Sequence, residues 1–473
     1  VTLESRYICS NAYAAATTAA RLRQTGGRVV SKQMKLAAYF NPTGHHVASW
    51  RHPRAQADAN SSIEHYVEAA RTAERAKFDM IFLADSNATR KADIEAISRS
   101  VQFIAHFEPL TLLSALAMVT KNIGLTATAS TTYQEPYHLA RKFASLDHIS
   151  HGRAGWNLVT SNQTAEAANF GRDSVLDHAK RYGRAREFAQ VVQGLWDSWD
   201  DDAFVRNVES GLYFEPSRMH PLNHKGEHFS VRGPLNVPRP PQGYPVMVQA
   251  GASDEGRELA AEFAEAIFSP HLTIAAAKAY YDDVKGRMQS KYDRHPDHLK
   301  VLPGLSVVVA ESDDKAAEDF EALQSLIHPI VGREILSTML GGMDLTPFPL
   351  DEPLPDPLPP TNGSKGHYDS IVAMARRENL TIRQLGQRVA GARGKNAIHG
   401  SARKVADMME EWFAAGACDG FCVMPPYMPG QHDDFCAMVV PELQKRGIFR
   451  KEYEGATLRA NLGLPLPPSR YAR

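Results

Sequence analysis

Phe78-Asp79-Met80-Ile81-Phe82-Leu83-Ala84-Asp85 is an almost unbroken apolar run that ends in an acid. A strand buried on both faces reads this way, and burial on both faces marks parallel pairing beneath helices. Upstream, residues 36–40 read as a strand and residues 63–76 carry apolar side chains at helical spacing. Downstream the alternation continues. Strands are expected at 123–130, 154–160, 246–250, 266–269, 305–309 and 420–424, and helices at 110–120, 138–149, 180–196, 254–263, 274–288 and 433–445. Eight strands in repeated strand–helix units fit either a (β/α)8 barrel or a long doubly wound sheet. The chain has no G-x-G-x-x-G, the turn at which a dinucleotide-binding sheet begins, so the expected fold is α/β, a (β/α)8 TIM barrel.

Composition sets the frame around that barrel. The chain has 473 residues, 43% hydrophobic and 23% charged, the balance of a globular protein with a large core. Lys and Arg number 53 against 54 Asp and Glu, which leaves no electrostatic footprint for nucleic acid or an anionic membrane. Four cysteines are too few for a disulfide scaffold, so a reducing compartment, the cytoplasm, is expected, with Cys418 and Cys422 as buried thiols. Glu4 is the only acid in the first 34 residues, against Arg6, Arg21, Arg23, Arg28 and Lys32. Residues 1–34 therefore read as a flexible extension, and 35–473 as one barrel with two insertions. The first, about 200–245, is rich in proline. The second, about 325–400, holds seven prolines between Pro347 and Pro360, a stretch that reads as extended loop, and the insertion is expected to act as a lid over the barrel mouth.

Chemistry in such a barrel sits where strands end at the C-terminal face. There the chain offers Asn41-Pro42-Thr43-Gly44-His45-His46 with Trp50 and Arg51 beyond, then Asp85, Thr126, Thr128 and Ser130. Trp156-Asn157, Thr160-Ser161-Asn162, Gln249-Ala250-Gly251-Ala252-Ser253 and Pro425-Pro426-Tyr427 complete the rim. No metal is expected: His45 and His46 are adjacent, so their side chains diverge, and strands three to five add no further His or Asp. No Gly-x-Ser-x-Gly nucleophile turn is present either. A polar, weakly charged, aromatic mouth suits a flat heteroaromatic cofactor such as flavin, whose ring edge needs neutral donors and acceptors. Gly251-Ala252-Ser253 ahead of a helix lets backbone N–H groups approach a phosphate, although Ser253 as a plain N-cap accounts for the same residue.

A set of ordered motifs carries a resemblance. Phe78-Asp79 with Phe82-Leu83-Ala84-Asp85, Glu135-Pro136-Tyr137-His138, His151-Gly152-Arg153-Ala154-Gly155-Trp156-Asn157-Leu158-Val159-Thr160-Ser161 and Asn169-Phe170-Gly171 come first. His178 with Arg181-Tyr182, Gly233-Pro234, Gln249-Ala250-Gly251-Ala252-Ser253 and Asp419-Gly420-Phe421 follow. Over roughly residues 35–465 the chain resembles the nitrilotriacetate monooxygenase component A and dibenzothiophene-sulfone monooxygenase group of the bacterial-luciferase-like flavin monooxygenase superfamily.

The resemblance implies a luciferase-like barrel that uses reduced FMN as a dissociable cosubstrate, supplied by a separate NAD(P)H:FMN reductase, and O2. It places flavin contacts on Asp85 and Thr128 near the ring and on His178, Tyr182 and Ser253 toward the phosphate, with Asn157 and Ser161 as secondary contacts. His45, just beyond strand one, is the expected catalytic residue, able to manage a proton near the reacting oxygen. His46 and Trp50 are weaker candidates, as pocket wall. The substrate is a small organic molecule, nitrilotriacetate-like or a related xenobiotic. A polycarboxylate would need cations, for which Arg51, Arg90, Lys91 and Arg99 stand in the first two mouth loops. The alternatives are a deazaflavin-dependent hydride-transfer oxidoreductase of the same fold and a flavin-binding protein without turnover. A homodimer or homotetramer is expected.

Overall fold

The computed structural model describes residues 32–89, 93–101, 104–358, 365–392 and 396–472. Eight parallel strands close on themselves, as expected: β1 (Lys35–Phe40), β2 (Met80–Leu83), β3 (Gly124–Ser130), β4 (Ala154–Val159), β5 (Val246–Gln249), β6 (Ala266–Ser269), β7 (Lys300–Ala310) and β8 (Gly420–Val423). Each pairs with the next, and Lys35 opposite Gly420 closes the ring between β1 and β8. Among the described residues no helix is long and apolar enough to cross a membrane.

Period-two alternation sorts every strand into a lumen face and a helix face. Leu36, Ala38, Phe40, Ile81, Leu83, Leu125, Ala127, Ala129, Trp156 and Leu158 belong to the large core beneath the helices. Ala37, Met80, Phe82, Val246, Val248 and Cys422 form the lumen core instead, closed below by Leu458 and Leu462 of a short C-terminal helix. By the same alternation Thr126, Thr128, Ser130, Gly155 and Asn157 face the lumen. Glycine at 124 and 155 leaves space for the Leu458 plug, whose methyls lie 2.4 and 3.4 Å from where a Cβ would stand.

Charge is buried at the barrel floor. Asp79 and Asp419 each stand one residue ahead of a strand and are 0% and 2% exposed. Asp79 accepts from the Leu36 N–H at 2.8 Å and from Arg450. Asp419 accepts from Lys285 at 2.9 Å and the Val301 N–H at 3.0 Å, and pairs with Lys32 at 2.6 Å. Burial pushes the Asp419 carboxyl up, but Lys285, Lys32 and Lys300 outweigh it and hold it at about 2. Lys32 and the buried Met34 thus seat the last residues of the expected extension against the floor, and residues 1–31 lie outside the described chain.

The two insertions differ from each other. Residues 200–245 are largely irregular, with a short antiparallel pairing of His224–Lys225 and Ser230–Val231. The second insertion leaves its proline-rich stretch, residues 347–358, without helix or strand, as expected. The rest of it is mostly helical, with helices Pro329–Met339, Lys365–Arg377 and Ile382–Ala392 packed around Leu336, Leu340, Leu345, Leu354 and Leu385. It returns as a strand, Asn396–Ser401, paired in parallel with the outer half of β7. The proline cluster breaks the backbone only locally, and helical periodicity resumes beyond it. β7 is also longer than the expected 305–309: residues 300–303 pair with β6, Pro303 opposite Ser269, and residues 304–305 pair with β8 on the other side.

Candidate active site

The lumen-facing ends of β3 and β4 bring the first group of expected residues together. Thr128 and Asn157 are register partners, and Asn157 Nδ2 donates to Thr128 Oγ1 at 2.8 Å. Asn157 is 3% exposed, and its Oδ1 has no partner. A buried acceptor left unmade costs ~1–3 kcal/mol, so this oxygen is kept for something that brings a donor. One layer higher, the Ser130 and Ser161 hydroxyls are 2.8 Å apart, and the Ser161 carbonyl accepts from Arg181 Nη1 at 3.0 Å.

A second group forms where α1 (His178–Trp196) meets α2 (Asp254–Phe263). Ser253 caps α2, its hydroxyl accepting from the Gly256 N–H at 3.1 Å. His178 and Tyr182 stand one turn apart, ring centroids 4.8 Å from each other, and His178 Nδ1 is 3.6 Å from Glu255. Gly251 and Gly256 approach backbone to backbone: a Cβ on Gly251 would lie 2.8 Å from the Gly256 Cα, and one on Gly256 would lie 3.2 Å from the Tyr182 hydroxyl. Tyr280 fixes this turn by donating to the Gly251 carbonyl at 2.8 Å. Ser253 thus takes the Gly256 N–H, and the glycine-lined first turn of α2 keeps its backbone open to an approaching group, the ordinary setting for a phosphate.

Asp85 and His45 define a third group. Asp85 Oδ1 lies 3.3 Å from His106 Nε2. His106 lines a cavity with His45, Tyr39, Asn41, Tyr66 and Leu112. His45 is buried, and its Nε2 lies 2.9 Å from the Tyr39 carbonyl. A carbonyl only accepts, so that nitrogen carries the proton. His46 does not join this wall: its Nδ1 accepts from the Ala48 N–H at 3.1 Å, and its Nε2 donates to Gln324 Oε1 at 3.0 Å, at the base of the second insertion. Trp50 is likewise committed elsewhere, donating to the Arg99 carbonyl at 3.2 Å.

Sequence reasoning missed His106, and it placed Arg181 within a motif without giving it a role. His106 lies in a segment without helical or strand period, and Arg181 reads as an ordinary polar position of a helix. The expected substrate cations are also redirected. Arg51 donates to the Leu326 carbonyl and Arg99 to the Glu95 carbonyl, while Arg90 and Lys91 lie outside the described residues. Cys418 and Cys422 are buried, and burial pushes the Cys418 thiol up to about 12. Among the described residues no three His, Cys, Asp or Glu side chains gather as metal ligands.

A closed parallel barrel with a neutral, hydroxyl-rich mouth and an opened helix N-terminus is built for a phosphorylated, flat cofactor. The unpartnered Asn157 oxygen and the glycine-lined turn both fit FMN. The chain belongs to the luciferase-like monooxygenase family, whose model matches residues 43–418. It is 52% identical over 449 residues to nitrilotriacetate monooxygenase component A of Aminobacter aminovorans, covering 94% of this chain and 99% of that protein. It is 50% identical over 443 residues to N-acetyl-S-(2-succino)cysteine monooxygenase of Bacillus subtilis (strain 168), covering 93% and 99%. A riboflavin lyase solved with a modified FMN and riboflavin superposes with a TM-score of 0.78 at 28% identity, over 92% of this chain and 97% of that one. The protein is a flavin-dependent monooxygenase.

Proposed function

We propose that this chain is the oxygenating component of a two-component system. It takes reduced FMN as a dissociable cosubstrate from a separate NAD(P)H:FMN reductase, and with O2 it oxygenates a small organic molecule of the nitrilotriacetate-like, carboxylate-bearing kind. Bound reduced FMN supplies the electrons that activate O2. The chain's own residues do the rest. Thr128 and Asn157 hold the polar edge of the ring, Asp85 is oriented toward it by His106, and Ser161 completes the wall. His178, Tyr182, Ser253 and the N–H groups of α2 take the phosphate. His45, with its proton fixed on Nε2, manages a proton beside the reacting oxygen. The second insertion keeps water from the mouth while the substrate is held. We place the enzyme in the cytoplasm as a homodimer or homotetramer.

The observation that carries this reading is the Asn157 oxygen, buried beside Thr128 without a partner at the end of the lumen. The test supplies FMN, NADH and a flavin reductase and measures O2 uptake, product and H2O2 over a panel of carboxylates. Oxygenated product with stoichiometric O2 uptake is expected, and His45→Asn should divert O2 from product to H2O2. Substrate oxidation that proceeds without O2 would identify a deazaflavin-type hydride transfer instead. Tight binding of oxidised FMN with no product would identify a carrier or sensor.

The close approach of Gly251 to Gly256 makes a second prediction. In Gly251→Ala the new Cβ meets Gln249 Nε2 at 2.4 Å and the Gly256 Cα at 2.8 Å, so the turn must move. Overpacking of this size costs ~1–3 kcal/mol, and fluorescence titration is expected to find FMN affinity reduced about 10-fold. Unchanged affinity would show that the turn does not carry the phosphate.

A further inference from the structure

Three arginines at the mouth ends of β3 and β4 have no acid to answer them. Arg181 is 9% exposed; one Nη reaches the Ser161 carbonyl, and its Nε has no partner. Arg184, three residues on along α1, lies over the Phe229 ring at 4.3 Å, and its buried Nε is also without a partner. Arg172 comes in from the loop after β4, its guanidinium carbon 5.3 Å from the centre of the Tyr133 ring. Tyr133 Oη and Gln134 Oε1 are two more buried polar atoms with nothing to bond.

Among the described residues no carboxylate comes within ion-pair distance of these three guanidinium groups. Three acids act on the cluster from farther off. Glu166 spends an oxygen on the Asn87 N–H at 3.0 Å, Glu135 is exposed, and Glu187 is taken up by His224 and by the His228 and Phe229 N–H groups, each at 2.9 Å. Burial outweighs Glu135 and Glu187 and, with the like charge of Arg172, pushes the Arg184 guanidinium below its ordinary value. Gathering like charges and burying them without hydrogen bonds is unfavourable, and a ligand that brings paired oxygens relieves both costs at once.

We propose that Arg172, Arg181 and Arg184 form a subsite for a carboxylate of the substrate. The planar guanidinium fork matches a carboxylate in bidentate geometry, which a solvated lysine would not. A phosphate offers the same oxyanion chemistry, but Tyr182 and His178 turn to the Ser253 side of α1, while Arg181 and Arg184 turn to Ser161 and Phe229. The subsite rests on the oxygenase reading above and replaces Arg51 and Arg99 as the source of substrate-binding cations.

The test uses the full chain with FMN present. Nitrilotriacetate, citrate and the trimethyl ester of nitrilotriacetate are titrated calorimetrically, and FMN is titrated separately by fluorescence. At least one acid is expected to bind, and the ester not. Arg172→Gln and Arg184→Gln should each weaken that binding about 10-fold, with Arg184→Lys intermediate and FMN affinity unchanged. Circular dichroism checks that the variants are folded. Loss of FMN affinity with carboxylate binding intact would assign the arginines to the cofactor phosphate and overturn the proposal. A wild type that binds no acid, or binds the ester equally well, overturns it too. A wild type that binds the acid through these arginines but consumes no O2 with reduced FMN upholds the subsite and refutes the oxygenase reading.

Discussion

Asp85→Ala is expected to weaken FMN binding by about 10- to 100-fold, the worth of a charge-assisted hydrogen bond of ~1.5–3 kcal/mol. The carboxylate ends an apolar strand, where an unpaired charge is costly. Its partner is His106, which reaches it at 3.3 Å from a distant part of the chain. That arrangement holds one oxygen and orients the other, as expected of a group that meets a ligand rather than one that merely caps a turn. Asp85→Asn keeps the shape but loses the charge, so its loss should be smaller. Fluorescence titration with FMN, repeated anaerobically with the reduced form, measures both. Full affinity in the alanine variant would remove Asp85 from the cofactor site.

Asp419→Asn should cost stability rather than activity, by ~3–5 kcal/mol, because it leaves Lys285, Lys32 and the nearby Lys300 without their shared counter-charge at the barrel floor. The effect has a pH signature. The carboxyl is held at about 2 in the fold, below the ~3.9 of an unfolded chain. A depressed acid contributes stability that is fully present above the unfolded value and is lost as pH falls through the folded one. This contribution is roughly 2–3 kcal/mol. Urea unfolding of wild type and variant should therefore differ most above pH ~5 and converge toward pH ~2. A gap that stays constant with pH would mean that the carboxylate charge is not what Lys285 and Lys32 require.

The barrel was legible because strands buried on two faces leave continuous apolar runs, as Met80-Ile81-Phe82-Leu83 does. The candidate residues Thr128 and Asn157 were legible from their place at the ends of strands three and four and from the family resemblance, and the fold adds that they are cross-strand partners facing the lumen. The strand Asn396–Ser401 was not legible, because only Ala397 and Ile398 are apolar and its existence depends on pairing with β7. His106 escaped for the same kind of reason. Its meaning lies in a contact with Asp85, 21 residues away, that no local period encodes. The arginines of α1 look like solvated charges in sequence, and only the geometry reveals that they lack acids.

The outboard strand also decides how the second insertion can move. It departs after the helix that follows β7 and comes back hydrogen-bonded to β7 itself, so it is bound along one stave like a book cover along its spine. The seam along β7 is therefore the fixed side of the cover, and any opening of it starts at the edge away from β7.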